Sequence, residues 1–283
     1  MAAFPADSVW FVTGSSSGLG RELAQSALAR GWRVVLAARR PDDLAELARR
    51  YPDTAMTVRL DVTDPASIAE AVAAAQTRFG RIDVLVNAAG YGYLAAIEEG
   101  EDHAIRAQFE TNVFGLLAVT RAVLPGMRAR RSGHIVNYSS VGGLVAFAAT
   151  GYYHATKFAV EALSESLSQE VAPLGIGVMI VEPGAFRTEW AGRSMIASDT
   201  VIDDYASTAG KRREATLAVS GRQPGDPVKG AQAVIAALES ETPPLRLLLG
   251  KSAFDLALKR VDALRANFEA WREVSEGTDF PAV

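Results

Sequence analysis

Thr13-Gly14-Ser15-Ser16-Ser17-Gly18-Leu19-Gly20 stands between the apolar run Val9-Trp10-Phe11-Val12 and an amphipathic stretch over residues 21–30. A short apolar run closed by turn residues reads as a buried strand, and the 3.6-residue periodicity after it reads as a helix. The octet is therefore a strand-to-helix turn, and its glycines sit where a helix N-terminus presents free backbone N–H groups. A pyrophosphate binds such an end best when no Cβ blocks its approach. Gly14, Gly18 and Gly20 give that clearance, and with Ser16, Ser17 and Leu19 they form a candidate dinucleotide cradle.

The same unit recurs along the chain. Apolar runs at 33–37, 55–60, 83–86, 134–139 and 178–181 alternate with helical patterns at 42–50, 65–79, a long region ending near 131, and 152–172. Asp64-Pro65 places a capping acid before a first-turn proline, while Gly31, Gly80 and Gly175 stop helices. Strand-helix alternation of this kind predicts an α/β fold. We expect one doubly wound, Rossmann-like domain over residues 1–283, its parallel sheet of about seven strands covered by helices on both faces. Residues 189–227 break the pattern and read as a substrate lid, with Arg193, Lys211, Arg212, Arg213 and Arg222 mixed among acids. Over residues 251–276, Phe254, Leu258, Val261, Leu264, Phe268 and Trp271 mark one face of an amphipathic helix that packs on the protein's own body or on a partner subunit.

Composition narrows the function classes. The chain has 283 residues, 49% of them hydrophobic, and a formal net charge of -4, so it carries no electrostatic footprint for nucleic acid or anionic lipid. Zero cysteines exclude a disulfide, a thiolate metal site and a cysteine nucleophile, and His103, His134 and His154 lack metal-ligand spacing. No membrane span or signal-peptide core is legible. The expectation is a soluble, cytoplasmic protein with a small-molecule partner and no metal.

Further candidates fall at the ends of the predicted strands. After the second strand Arg39 offers a planar cation where an acid would otherwise meet a ribose 2′-hydroxyl, which favours NADP(H) over NAD(H). Asp61 and Val62 follow the third strand, and Asn87, Ala88, Ala89 and Gly90 follow the fourth; Asp61 suits an adenine amino group, and the small residues let a ribose approach. Tyr153 and Lys157, four apart at a helix start, leave one helix face. A free phenol titrates near ~10, and a neighbouring ammonium would bring it down toward use as a general base. Ser140, closing the fifth strand, can hydrogen-bond a substrate oxygen where charge develops. Ser139 falls one short.

Taken in order, Thr13-Gly14-x-x-x-Gly18-x-Gly20, Asn87-Ala88-Ala89-Gly90, Asn112, Ser140, Tyr153-x-x-x-Lys157 and Pro183-Gly184-x-x-x-Thr188 resemble the short-chain dehydrogenase/reductase family over about residues 8–190. Gly90-Tyr91-Gly92, Glu182-Pro183-Gly184, Gly225-Asp226-Pro227 and Pro243-Pro244-Leu245-Arg246 look closest to its hydroxysteroid-dehydrogenase-like branch. The resemblance implies NAD(P)-dependent interconversion of an alcohol and a ketone or aldehyde. By position it makes Tyr153 the general acid/base, Lys157 its activator and ribose ligand, Ser140 the carbonyl orienter and Asn112 the holder of a water chain. Pro183, Gly184, Phe186 and Thr188 would meet the nicotinamide end, and Ala88 replaces a more usual asparagine. The family also implies a homodimer or homotetramer. Tyr91, Tyr93, Leu144, Phe147, Tyr152, Phe186 and Trp190 then form an apolar substrate wall suited to a lipophilic carbonyl. Two other functions stay open: a reductase of β-ketoacyl thioesters, and a non-catalytic NADP-binding sensor on the same fold.

Overall fold

A computed structural model describes residues 4–192 and 194–280; residues 1–3, Arg193 and residues 281–283 lie outside the described residues. In chain order the elements are β1 (Val9–Thr13), α1 (Gly18–Ala29), β2 (Arg33–Ala38), α2 (Ala45–Arg50), β3 (Ala55–Arg59), α3 (Pro65–Phe79), β4 (Val84–Asn87), β5 (Gly92–Leu94), α4 (Asp102–Phe109), α5 (Leu116–Arg130) and β6 (Gly133–Tyr138). They continue with α6 (Gly151–Val171), β7 (Ile176–Pro183), β8 (Met195–Ala197), α7 (Lys211–Ala218), α8 (Pro227–Leu238), β9 (Arg246–Leu249), α9 (Lys251–Ala270) and α10 (Arg272–Glu276).

Seven of the strands form one parallel sheet in the order β3-β2-β1-β4-β6-β7-β9, the doubly wound arrangement expected from the sequence. Successive residues of a strand point to opposite faces, and here both faces are covered by helices. Trp10, Val12, Val34 and Leu36 enter the core under α1 and α8, while Val9, Phe11, Val35 and Ala37 enter the core under α3 and α5. That is why these strands are apolar throughout instead of alternating. Trp10 and Trp32 stack at 5.0 Å between ring centroids, with Phe4 edge-on to both. Truncating one large aliphatic side chain in either core would cost about 2–5 kcal/mol.

The chain order reverses between β1 and β4, so the carboxyl ends of these two strands open a crevice. Thr13 bridges it: its Oγ1 accepts from Ala88 N at 3.0 Å and Ala89 N at 3.1 Å. The Gly14 turn and the Asn87-Ala88-Ala89-Gly90 turn are thereby locked side by side.

Residues 189–227, read as a lid, carry structure of their own: β8 pairs in parallel with β5, and α7 follows at Lys211–Ala218. The pairing is only three residues long, too short to show as periodicity. The C-terminal helix breaks at Trp271 into α9 and α10, and Phe254, Leu258, Val261, Phe268 and Trp271 stay exposed. Only Ala253 and Ala257 of α9 are buried, so its apolar face does not pack on the chain's own body.

Candidate active site

The cradle forms as the glycines require. Gly14 has φ +65 and Gly18 φ +60, a left-handed backbone that favours glycine. A Cβ on Gly14 would lie 2.8 Å from the Ala88 carbonyl oxygen, and one on Gly20 would lie 2.8 Å from the Gly14 oxygen. Ser15 anchors the turn to β2, its hydroxyl donating to the Ala37 carbonyl at 3.2 Å. Ser17 caps α1 with extended backbone and makes no side-chain cap bond, leaving its hydroxyl and the helix's first N–H groups for a ligand. Ser16 sits half-buried beside it, and the Leu19 side chain packs against the α1–α8 core. Across the cradle from Gly18, 3.7 Å from a Cβ built there, stands Thr188.

At the far end, Arg39 is exposed and has no hydrogen-bond or ion-pair partner among the described residues, whereas Arg40 is tied to Asp43 at 3.1 Å. Asp61 accepts from the Thr63 amide at 3.0 Å and its hydroxyl at 2.8 Å, which hold its carboxyl below the usual range. Val62 is buried against Gly115. The residues present fit a dinucleotide: a clear glycine turn, a helix N-terminus and an unpaired guanidinium share one edge.

The Asn87 side chain corrects an expectation. Its Nδ2 donates to Thr120 Oγ1 and Asn137 Oδ1, both at 2.9 Å, and Asn137 Nδ2 donates to Ser164 at 2.8 Å. This buried polar ladder joins β4 and β6 to α5 and α6, so only the Asn87 backbone faces the crevice edge. Gly90 is glycine for a neighbouring reason: a Cβ there would lie 3.0 Å from Asn112 Oδ1 and 3.9 Å from Lys157 Nζ.

Asn112 lies in a π-helical turn, Glu110–Gly115, inserted between α4 and α5. Such turns recur at functional sites because the extra residue pushes a side chain out of register. Asn112 Oδ1 accepts from Tyr91 N at 3.0 Å, while Nδ2 donates to Tyr91 O at 2.9 Å and Thr156 Oγ1 at 3.1 Å.

Ser140 caps the short turn Val141–Gly143, accepting from Gly142 N at 3.0 Å, and its hydroxyl donates to the Pro183 carbonyl at 3.4 Å. Lys157 Nζ donates to the Tyr138 carbonyl at 2.7 Å and lies 5.7 Å from the Tyr153 ring centroid. Burial pushes Tyr153 up to about 12, with the Ser140 hydroxyl offsetting only part. It pulls Lys157 down to about 8, against the Glu161 carboxylate. The lowering of the phenol expected from the lysine does not offset this desolvation. A phenol so placed keeps its proton at neutral pH.

The substrate wall separates into two groups. Trp190 lies over Tyr153, 5.1 Å between rings, and Tyr91, Leu144 and Phe147 keep partial exposure nearby in sequence and fold. Tyr93 does not belong with them: it is 1% exposed and its hydroxyl bonds to Glu101. Tyr152 donates to the Ile97 carbonyl at 2.6 Å, and Phe186 turns its ring against Gly225 and Gly230 in the α1–α8 core. Gly184 follows Pro183 and owes its lack of side chain to α9, since a Cβ would lie 2.8 Å from Ser252 Oγ.

Known proteins share this fold. A sequence model described as short chain dehydrogenase matches residues 8–197. The chain belongs to the short-chain dehydrogenase/reductase family. It is 41% identical to Oxidoreductase BOA17 of Botryotinia fuckeliana over 94% of this chain and 97% of that protein. It is 36% identical to a 3-ketodihydrosphingosine reductase of Bacteroides thetaiotaomicron over 84% and 86%. The crystal structure of a short-chain dehydrogenase from Streptomyces avermitilis superposes with TM-score 0.92 at 46% identity, covering 98% of this chain and all of that one (100%). As a member of this family the chain is an oxidoreductase acting between CH–OH and carbonyl groups with a nicotinamide cofactor. No helix among the described residues is long and apolar enough to cross a membrane.

For this short-chain dehydrogenase, several structural partners escape sequence reasoning. Thr13 was visible only as the residue before the first glycine. His154, beside Tyr153, accepts from Phe147 N at 3.0 Å, and burial followed by the Arg212 charge lowers it to about 4. Glu99, 2% exposed, accepts from Ala96 N, Ile202 N and Arg213, and Glu101 holds Tyr93 and Ser198. Burial alone would raise the Glu99 carboxyl, but these donors hold it below the usual range. Both acids reach across about 100 residues of sequence, where no local pattern announces them.

Proposed function

We propose that the chain is an NADP(H)-dependent oxidoreductase that interconverts a lipophilic ketone or aldehyde and the corresponding alcohol. One observation carries the reading: the buried Tyr153 phenol has Lys157 Nζ 5.7 Å from its ring centroid and the Trp190 ring at 5.1 Å, with the Ser140 hydroxyl acting on it from the end of β6. A nicotinamide held along this edge would supply or accept the hydride. In reduction the Ser140 hydroxyl donates to the carbonyl oxygen, and Tyr153 passes its phenolic proton to that oxygen as charge develops there. Lys157 stabilises the phenolate left behind. Asn112 fixes the Tyr91 main chain beside the site, and a water chain from that region restores the proton.

The NADP(H) preference rests on Arg39, whose guanidinium is unpaired while Arg40 is not. Gly14, Ser16, Ser17, Gly18, Leu19 and Gly20 hold the pyrophosphate, with Asp61, Val62, Ala88, Ala89, Gly90 and the Asn87 main chain at the adenosine side. Pro183, Gly184, Thr188 and the Phe186 main chain meet the nicotinamide. Tyr91, Leu144, Phe147 and Trp190 give the substrate wall its apolar character, and the relative named 3-ketodihydrosphingosine reductase supports a lipophilic carbonyl. Residues 189–227 act as the lid. Exposed Phe114 and Phe158, on or beside α5 and α6, support a homodimer or homotetramer in the cytoplasm.

Of the two other functions, a carrier-borne thioester would call for a free basic patch. Arg213 is engaged with Glu99, Arg222 bonds the Ala218 carbonyl, and Arg212 stacks over Phe147 at 4.6 Å. A non-catalytic sensor has no need of the intact proton-transfer set. The experiment is a panel of long-chain and aromatic ketones with NADPH and NADH, followed by cofactor absorbance, with calorimetry for binding. Turnover of lipophilic ketones with NADPH supports the reading; binding of neither cofactor and no turnover overturns it.

A further inference from the structure

One helical turn beyond Lys157 on α6, three carboxyls gather around one guanidinium. Arg246 Nε, at the start of β9, lies 3.2 Å from Glu161 Oε2 and 3.5 Å from Glu182 Oε1, while its Nη2 donates to Glu165 Oε2 at 2.7 Å. Glu165 is at the surface, but Glu161 is 5% and Glu182 1% exposed. Glu182 is the last residue of β7 before Pro183. None of these acids has a part in the proton transfer described above.

Charge balance in this cluster is uneven. Were all three acids ionised, Arg246 would face three negative charges, with Lys157 one helical turn from Glu161 on α6. Neither oxygen of Glu182 accepts a hydrogen bond from a main-chain amide or a neutral side chain among the described residues. A buried carboxylate without donors is costly, and two carboxyls in contact cannot both ionise cheaply. Burial raises Glu182, and the adjacent Glu161 charge raises it further. Both carboxyls crowd the same Arg246 nitrogen, Glu161 at 3.2 Å and Glu182 at 3.5 Å, so the two buried acids stand side by side with one cation between them.

The groups facing the pair are few. From α6 come Lys157 and Glu165, from β7 Glu182 itself, and from β9 Arg246. The segment after β6 adds the neutral Ser139 hydroxyl and Gly143: a Cβ built on Gly143 would lie 2.6 Å from Ser139 Oγ and 2.8 Å from Glu161 Cγ. Lys157 thus reaches the end of β6 at the Tyr138 carbonyl, and Glu161 lies with Ser139, the residue before Ser140, around Gly143.

We propose that Glu161 and Glu182 share one proton, held on Glu182, and that the charge left on Glu161 makes it a positioning residue that keeps Lys157 an ammonium. Glu182 is the neutral partner that fastens Glu161 in place. The catalytic half of this inference rests on the proposed carbonyl chemistry, because only there does the Lys157 charge steady the Tyr153 phenolate. Losing the Glu161 charge would let buried Lys157 shed its proton at lower pH.

Infrared difference spectroscopy of the cofactor-free protein tests the shared proton without any turnover. A carboxylic-acid C=O band at neutral pH that Glu182→Gln removes is expected; its absence from the unsubstituted protein overturns the proposal and leaves the carbonyl-reductase reading untouched. The pH dependence of kcat/KM tests the positioning role. Glu182→Gln, which mimics the neutral acid, should keep the profile and stay within about threefold of the parent activity. Glu161→Gln should move the alkaline limb down by about one pH unit, a roughly tenfold loss above it. Glu161→Asp should recover most of that shift and serves alone should Glu161→Gln fail to fold, since a limb unchanged from the parent's then supports the charge and a limb lowered by a full unit contradicts it. Equal shifts in the Gln variants, or a lower melting temperature with both profiles unchanged, would overturn the positioning role.

Discussion

Arg213 on α7 donates to the buried carboxylate of Glu99, closing an ion pair that fastens the segment 189–227 to the turn after β5. Glu99 also accepts from Ala96 N at 2.8 Å and Ile202 N at 3.0 Å, so one acid ties three parts of the chain. Arg213→Met should leave that charge short of its counter-ion and loosen α7 by up to about 3 kcal/mol. The expected reading is a raised KM with a smaller change in kcat, and faster proteolytic cleavage within 189–227. Unchanged KM and cleavage would show that the pair does not hold the lid.

Tyr153→Phe removes one hydroxyl and leaves the Lys157 bond to Tyr138 in place. Turnover should fall about 10²–10⁴-fold, the usual worth of a positioned proton donor, while NADPH affinity measured by calorimetry changes little. Retained turnover would mean that another group supplies the proton.

Arg39→Ala deletes the unpaired guanidinium at the end of β2. A charge-assisted contact of about 1.5–3 kcal/mol should be lost with NADPH, a roughly 10- to 150-fold weaker Kd, with NADH nearly unaffected. Equal losses for the two cofactors would place the 2′-phosphate elsewhere.

Gly14→Ala and Gly31→Ala separate strain from collision. Both glycines have positive φ, +65 and +83, and an alanine at either is strained by about 1–2 kcal/mol. At Gly31 nothing lies within 4 Å of a Cβ, whereas at Gly14 the Ala88 and Ala89 backbone lies at 2.8 Å. Both variants should melt lower, but only Gly14→Ala should also weaken NADPH, by tenfold or more as an order-of-magnitude expectation.

His154 couples stability to acid. Burial, with the Arg212 charge, depresses the folded imidazole to about 4, below an unfolded value near ~6.5, so the unfolded chain binds the extra proton between those limits. The contribution is complete above the unfolded value and is lost as pH falls from about 6.5 to about 4, amounting to at most about 3 kcal/mol. Denaturant melts over this range should steepen in the parent protein and flatten in His154→Asn, whose amide oxygen can take the Phe147 N–H but does not titrate. Parallel curves would remove His154 from the acid response.

Much of the architecture is legible locally. Strand-helix alternation, the Asp64-Pro65 start and the glycine stops each follow from backbone chemistry within a few residues, and they give the sheet and its crevice. Gly14, Gly18 and Gly20 are readable for the same reason. Side-chain direction is less so. Asn87, Tyr93 and Phe186 lie at the right places in sequence for a ligand, yet their side chains face inward. Their partners are supplied from elsewhere in the chain: Asn137 and the glycines of α8 and its approach from far along it, and Glu101 from beyond the turn that follows β5.

The sequence by itself determined the doubly wound fold, the cofactor edge and the order of candidate residues along it, because periodicity, capping and glycine geometry act over short stretches. Only the tertiary structure decided the electrostatics. Whether Tyr153 holds a proton, whether Glu99 is paired and how Glu161, Glu182 and Arg246 divide their charge depend on burial and on groups many residues distant. Desolvation is a property of the packed molecule, and no single stretch of chain carries it.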